Sequence, residues 1–175
     1  MYGLIFNNIH SDTYNLIMRS VDRQLLPVRD KTSIKVSGKA GTANFDNNYN
    51  NRFITIELGF EFSSLQELQL RKREIAKWLS GYGKLQFDDE PDKYYTGRIY
   101  NAISFEQDYQ LASFQVVFEC DTFAYGSQVN INNVFNDNSH TIDITYNGTA
   151  ETEQVIKVKN IGSNSINGFK IKIEK

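Results

Sequence analysis

Residues 63–126, SSLQELQLRKREIAKWLSGYGKLQFDDEPDKYYTGRIYNAISFEQDYQLASFQVVFECDTFAYG, decide the fold. They hold the only Trp (Trp78), the only Cys (Cys120) and one of the two prolines, Pro91. Ser64 followed by Glu67 is a capping-box pattern: the hydroxyl can accept the Glu67 amide while the carboxylate returns to the Ser64 amide. A step of 100° per residue puts Leu65, Leu68, Ile75, Ala76 and Leu79 on one stripe, with Trp78 at its edge. Lys72 falls within that stripe, where its stem can lie along apolar surface or its ammonium can reach the later acidic turn. Gly81 suits a left-handed stop. The pattern predicts a helix over residues 64–80. A short strand (Lys84–Phe87), an acidic turn (Asp88–Asp92) and two long strands (Tyr94–Phe105 and Leu111–Cys120, turned at 106–110) follow. One amphipathic helix beside this many strands predicts a mainly β, α+β domain in which the helix packs on a β-sandwich.

Upstream, Tyr2–Phe6 reads as a first strand, turned by Asn7, Asn8 and the His10-Ser11-Asp12 cluster. Tyr14–Arg19 reads as a second, with Tyr14, Leu16 and Met18 on one face. Residues 53–62, FITIELGFEF, have a clear period of two, with Ile54, Ile56, Leu58, Phe60 and Phe62 on the inner face. Between these strands, residues 25–52 change character. Two strand-like arms, Val28–Val36 and Thr42–Tyr49, flank Gly38-Lys39-Ala40-Gly41, whose glycines suit positive φ in a hairpin turn. Val28, Ile34, Val36, Phe45 and Tyr49 are sparse apolar anchors among polar residues. Such a hairpin is marginal in water on its own. It is either a surface loop or a protruding arm that gains order at a subunit interface, and the length of the alternation favours the arm.

Downstream of Gly126 the composition shifts. VNINNVFNDNSH is Asn-rich, and the remainder gives three short alternating strands separated by Asn-Gly or Gly-Ser turns. The expectation is two domains: residues 1–126, and a short, partial all-β domain over residues 127–175, thin for a stable sandwich.

The 175-residue chain is 40% hydrophobic and 13% aromatic, enough for a core and tilted towards sheet. Its formal charge of −2, from 19 basic and 21 acidic residues, argues against an electrostatic grip on nucleic acid or an anionic membrane. A lone Cys120, alternating with Phe114, Val116 and Phe118, reads as a buried thiol, and no disulfide framework or Cys-based zinc site is available. No window approaches transmembrane length, and the start lacks the basic segment of a signal peptide. Four carboxylates in Asp88–Asp92 raise a calcium hypothesis, but the spaced ligands and turn glycine of a calcium loop are missing, so a solvated acidic turn is the reading adopted. His10 and His140 sit in turns without partners at ligand spacing. No catalytic residue, metal ligand or cofactor is expected.

The helix end IAKWL, then LQFDDEPDKYY, then FQVVFECDTFAYG carry a resemblance. With a strand, a Cys and a Pro-Phe-x-Tyr-like corner in this order, the chain resembles the distal tail protein (Dit) family of long-tailed phages. Trp78, Leu79, Leu85, Phe87, Pro91, Tyr94, Tyr95, Phe118, Cys120, Phe123 and Tyr125 are the residues that match. Ser37-Gly38-Lys39-Ala40-Gly41 stands where members carry a Gly-Arg-Asp-Gly-like hairpin tip. Thr122 replaces the usual proline and Lys39-Ala40 the usual Arg-Asp, which leaves the architecture intact but not the tip's contacts. The resemblance covers residues 1–126 well and 127–175 loosely.

It implies a structural hub of the phage tail tip or baseplate, a homohexameric ring with a central channel through which DNA passes unbound. One face would seat the tail tube protein, the other the tail-tip protein, and the hairpin would form a belt against the neighbouring subunit. Residues 127–175 would be a truncated or reduced galectin-like domain that holds a receptor-binding protein. The resemblance also implies a place in the virion, after assembly in the bacterial cytoplasm, and a phage or prophage origin. The alternative is a carbohydrate-binding module that contacts the host surface through residues 127–175, where Tyr146 and Phe169 are the aromatics on offer. A cell-wall hydrolase lacks any acid, base or metal constellation in the sequence.

Overall fold

A computed structural model describes residues 2–45, 48–135 and 140–173. The chain divides into two units, Met1–Asn133 and Val134–Lys175. In the first, the elements run β1 (Leu4–Phe6), β2 (Ile9–His10), a 3-10 turn (Ser11–Tyr14), β3 (Ile17–Arg23), β4 (Thr32–Ile34), β5 (Ala43–Phe45), β6 (Arg52–Glu61), α1 (Leu65–Leu79), β7 (Gly83–Phe87), β8 (Glu90–Ile99), β9 (Phe105–Asp108) and β10 (Leu111–Cys120). The fold is mainly β with one helix, as expected.

The large sheet has the order β2-β1-β7-β8-β10-β6-β3, with β9 also on β10, and every pairing is antiparallel. This one sheet supplies both layers of the sandwich. β1 and β10 lie three strands apart, which in a flat sheet is about 14 Å. Yet the Phe6 and Phe118 ring centroids are 5.0 Å apart. β3 and β7 lie four strands apart, and the Arg23 guanidinium sits 4.5 Å from the Phe87 ring centroid. The sheet must therefore fold over on itself around Leu4, Phe6, Ile54, Ile56, Leu58, Phe60, Leu85, Phe87, Val116 and Phe118, all buried. The alternation read in residues 53–62 is realised, with the five even-numbered residues inside.

Helix α1 packs over this core. The Ser64 hydroxyl accepts the Glu67 amide at 3.2 Å, while the Glu67 carboxylate accepts the Ser63 amide at 2.9 Å, one residue earlier than a capping box predicts. Gly81, at φ 95°, ends the helix region as expected. The buried stripe is Leu68, Ile75, Trp78 and Leu79. Leu65 is instead 63% exposed and Ala76 is exposed, so the stripe is trimmed on their side and its inward face is rotated towards Trp78, which stays at the edge but is buried. The cause is a partner the pattern cannot show: the Trp78 indole N–H donates to the Phe6 carbonyl at 3.0 Å in the interior. Tyr14 and Phe6 flank the indole, at 5.1 and 6.5 Å between centroids. Lys72 lies over the Phe105 ring at 4.8 Å, the snorkelling alternative rather than an ion pair with the acidic turn.

Three expectations are corrected. Tyr14–Arg19 is not one strand: Ser11–Tyr14 is a 3-10 turn capped by His10, and the strand runs Ile17–Arg23. Leu16, Met18 and Tyr14 still pack on the core. Tyr94–Phe105 is interrupted at residues 100–104, because β10 offers one edge to two partners, β8 at Phe118–Cys120 and β9 at Leu111–Phe114. The following turn is therefore only Tyr109-Gln110. Finally, the described residues of Val134–Lys175 form no strand. Their alternation, with Ile142, Ile144, Tyr146, Phe169 and Ile171 exposed, supplies faces for a sheet with no second layer to bury them. Its described hydrogen bonds include local ones, such as the Gly162 amide donating to Asn160 Oδ1 at 2.9 Å.

Cys120 is buried, and burial first, with Asp121 nearby, pushes its thiol up to about 12. The folded protein thus keeps this proton where an unfolded chain would lose it. Its contribution to stability is full below about pH 9 and is lost as pH rises towards 12. In a thiol-labelling assay at pH 8, Cys120 should react about a thousandfold more slowly in the native protein than in urea. Replacing Trp78 by Phe removes the buried bond to the Phe6 carbonyl and part of the ring packing, and should cost about 1–3 kcal/mol in denaturant unfolding, against about 1 kcal/mol for Ser64→Ala at the N-cap.

Candidate docking arm and its base

β4 and β5 pair only with each other. Their register, Thr32↔Phe45, Ser33↔Asn44 and Ile34↔Ala43, puts Thr32, Ile34, Ala43 and Phe45 on one face. Ser33 and Asn44 share the other, joined by a 2.9 Å hydrogen bond. Gly38 and Gly41 bracket the tip at φ 81° and 85°, a region that side chains disfavour. Residues 31–42 are all exposed, and so are Val28 and Phe45. The hairpin is thus present, though its ladder is shorter than the pattern in residues 28–49 suggested. Polar side chains alternate with apolar ones on an exposed surface. Just before it, Leu25 is 98% exposed and Leu26 is exposed, while Pro27 between them and Val28 is buried.

The arm's base is clamped where its tip is not. The Asn50 amide donates to the Val28 carbonyl at 2.8 Å and the Asp30 amide to the Asn48 carbonyl at 3.1 Å. Asn50 Nδ2 adds a bond to Asp30 Oδ1 at 2.7 Å. The Arg29 guanidinium lies 4.0 Å from the Tyr49 ring centroid and donates to its hydroxyl. Tyr49 in turn meets Phe123 edge-on at 5.4 Å. Thr122 closes the corner: its hydroxyl donates to the Asn50 carbonyl and its carbonyl accepts from Arg52 Nε, both at 3.2 Å. A proline at this position would lack that hydroxyl, so the departure at Thr122 is matched by a bond that proline could not make.

Behind Phe123 the chain turns back. Tyr94 and Tyr125 exchange both backbone hydrogen bonds, at 2.9 and 2.8 Å, and stack with centroids 5.5 Å apart. The Tyr125 hydroxyl donates to Asp121 at 3.0 Å, a bond that raises the phenol's pKa by holding its proton, and Thr96 donates to the same carboxylate. Gly97 permits the close approach: a Cβ there would come within 2.4 Å of the Glu119 carbonyl and 2.8 Å of Cys120 Sγ.

The residues singled out in the sequence fall into three places. Trp78, Leu79, Leu85, Phe87, Tyr95, Phe118 and Cys120 share the core. Tyr94, Phe123 and Tyr125 form the corner under the arm, with Tyr49 reaching them from the arm side. Pro91 stands apart, exposed in β8. The acidic turn is a staple rather than a solvated loop. His10 Nδ1 accepts the Asp12 amide at 3.0 Å, so Nε2 carries the proton and donates to Asp88, at 3.1 and 3.2 Å from its two oxygens. Asp88 also accepts the Gly3 amide at 2.7 Å. Arg23 bonds Asp89 and lies 3.6 Å from Glu90. These pairs join strands distant in sequence, so local pattern gave no sign of them. Among the described residues, no group of three or more His, Cys, Asp or Glu could hold a metal ion.

The sequence profile of the phage tail protein RIFT-related domain matches residues 9–120, well over half of the chain. The chain belongs to that family. It is a structural component of a phage tail. No curated protein matches the sequence. The fold is similar to the crystal structure of the Dit (gp 19.1) protein of phage SPP1, described as a paradigm of the hub adsorption apparatus in phages that infect Gram-positive bacteria. The TM-score is 0.66 at 17% identity, over 74% of this chain and 54% of that one. The chain thus spans about half the length of that relative.

The clamp has a direct test. Arg29→Ala removes the cation over Tyr49, and Thr122→Ala the bond to Asn50. Each should leave thermal unfolding within about 1 kcal/mol of the parent, as exposed sites do. Both should quicken amide exchange at Asp30 and Asn50, measured by NMR.

Proposed function

We propose that this tail protein is a ring-forming hub of the tail tip, most simply a homohexamer, that joins the tail tube to the tail-tip protein and lets DNA pass through its centre. The carrying observation is the arm: an amphipathic hairpin, rigid at its base, bare along its length, and too small to be stable alone. Such an element gains its order from a surface supplied in trans. Family membership and the fold shared with a hub protein support the choice of partner, a neighbouring subunit. In this reading Val28, Ile34, Val36, Phe45 and Tyr49 meet the neighbour, and Gly38 and Gly41 shape the tip. The core residues around Trp78 and Cys120 hold the subunit's shape, and the protein acts by binding, not by catalysis. The virion tail tip is the place of action, with subunits assembled in the host cytoplasm.

Removal of Lys31–Asn48, closed by a Gly-Gly turn, should leave the Trp78 fluorescence and thermal transition of the core in place. It should abolish ring formation in sedimentation velocity across a concentration range. A deletion variant that still assembles, or still docks to the tail tube protein, excludes the arm as the subunit contact.

A further inference from the structure

We propose that the seat of the arm is the β9–β10 turn of the next copy, built from Glu106, Asp108, Tyr109 and Leu111. This inference rests on the ring reading above and names the second half of its interface. Three observations lead to it.

The first is position. β6 and β10 pair over their whole length, from Arg52↔Cys120 at one end to Glu61↔Leu111 at the other. The arm leaves the chain just before Arg52, and the β9–β10 turn just precedes Leu111. At about 3.3 Å per residue, a ten-residue ladder separates the two by roughly 30 Å. The arm's strands pair only with each other and its residues 31–42 are exposed, so it does not lie on its own turn. Two complementary surfaces at opposite poles of a subunit suit a head-to-tail contact, the arrangement that forms a ring where its rotation closes.

The second is backbone strain. Among the described non-glycine residues, four have a positive φ: Asn7, Asn8, Asn15 and Tyr109. Asn tolerates that region, whereas a bulky aromatic there is an outlier. Tyr109, at φ 52°, is 86% exposed and contributes nothing to the core. Folding alone would favour Asn or Gly in this turn. A projecting Tyr is suited instead to a contact with another molecule.

The third is charge. The antiparallel registers put Asp108, Leu111 and Glu61 side by side on the outer face, with Glu106 beside Ser113. No ion pair engages Glu61, Glu106 or Asp108 among the described residues. Two cations stand near: Lys72 over Phe105, and Arg71, which donates to the Glu61 carbonyl at 3.4 Å and is already paired with Glu67. The arm is the converse: Lys31, Lys35 and Lys39 make no ion pair among the described residues, and its apolar Ile34, Val36 and Phe45 are exposed. An acidic surface around Tyr109 and Leu111 therefore complements a basic arm carrying apolar side chains.

Charge reversal on the full-length chain, read by sedimentation velocity at low salt, tests the pairing. Glu106→Lys with Asp108→Lys, and separately Lys31→Glu with Lys35→Glu, should each weaken self-association at least about tenfold. The four-fold variant, which restores opposite charges, should recover most of that loss, and unchanged Trp78 fluorescence would show that every variant is folded. Assembly of the turn variant at parental strength, in a protein that the arm deletion renders monomeric, overturns the seat and leaves the ring reading standing. A four-fold variant no stronger than its parents also overturns the seat. A parent chain that stays monomeric at all concentrations overturns both.

Discussion

The ten-residue antiparallel ladder between β6 and β10 is the constraint on which the rest of the first unit depends. Its inner face contributes Ile54, Ile56, Leu58, Phe60, Phe114, Val116 and Phe118 to the core. Its two ends position the arm and the proposed seat. At the Arg52–Cys120 end it holds the Thr122 corner and the base of the arm. At the Glu61–Leu111 end it places the helix start, through the Phe62 amide bonded to the Gln110 carbonyl, and the Tyr109 turn. A one-residue slip would turn every core side chain outwards, so the separation of the two ends is as firmly specified as the core itself.

The sheet closes by side chains rather than by a continued ladder. Phe6 on Phe118, Arg23 on Phe87 and the acidic turn, and Trp78 on the Phe6 carbonyl draw together strands far apart in the sheet order. The Arg23 ion pairs are half-exposed and individually worth little, but they are placed where the sheet folds over. Within the ladder, Gly97 faces Cys120, and its bare Cα lets β8 approach β10 closely. A body made rigid this way can present a hairpin that contributes nothing to its own stability.

What the sequence displays is what short-range periodicity encodes. The alternation of residues 53–62, the Ser64–Glu67 cap, the glycines at 38, 41 and 81 and the amphipathic hairpin were legible because each depends on near neighbours. The orientation of Trp78, the His10–Asp88 and Arg23–Asp89 pairs, and the division of β10's edge between β8 and β9 were not, because each needs a partner 19 to 78 positions away. Residues 140–173 show the reverse failure. Ile142, Ile144 and Tyr146 alternate like a strand, yet alternation describes a surface to be buried and supplies no layer to bury it. The arm's apolar face was visible in Ile34, Val36 and Phe45. Tyr109 carries no such signal, because an isolated exposed apolar residue is ordinary until its surroundings are known.

The central claim is that the arm is unpartnered in the single subunit and ordered by its neighbour. Amide hydrogen exchange, followed by mass spectrometry in the isolated chain and in the assembled tail tip, measures this directly. Peptides covering residues 31–45 should exchange within seconds in the isolated chain and slow by at least about a hundredfold on assembly, while β6 and β10 stay protected in both states. An arm already protected in the isolated chain, or one that still exchanges freely in the assembled tip, would contradict the account.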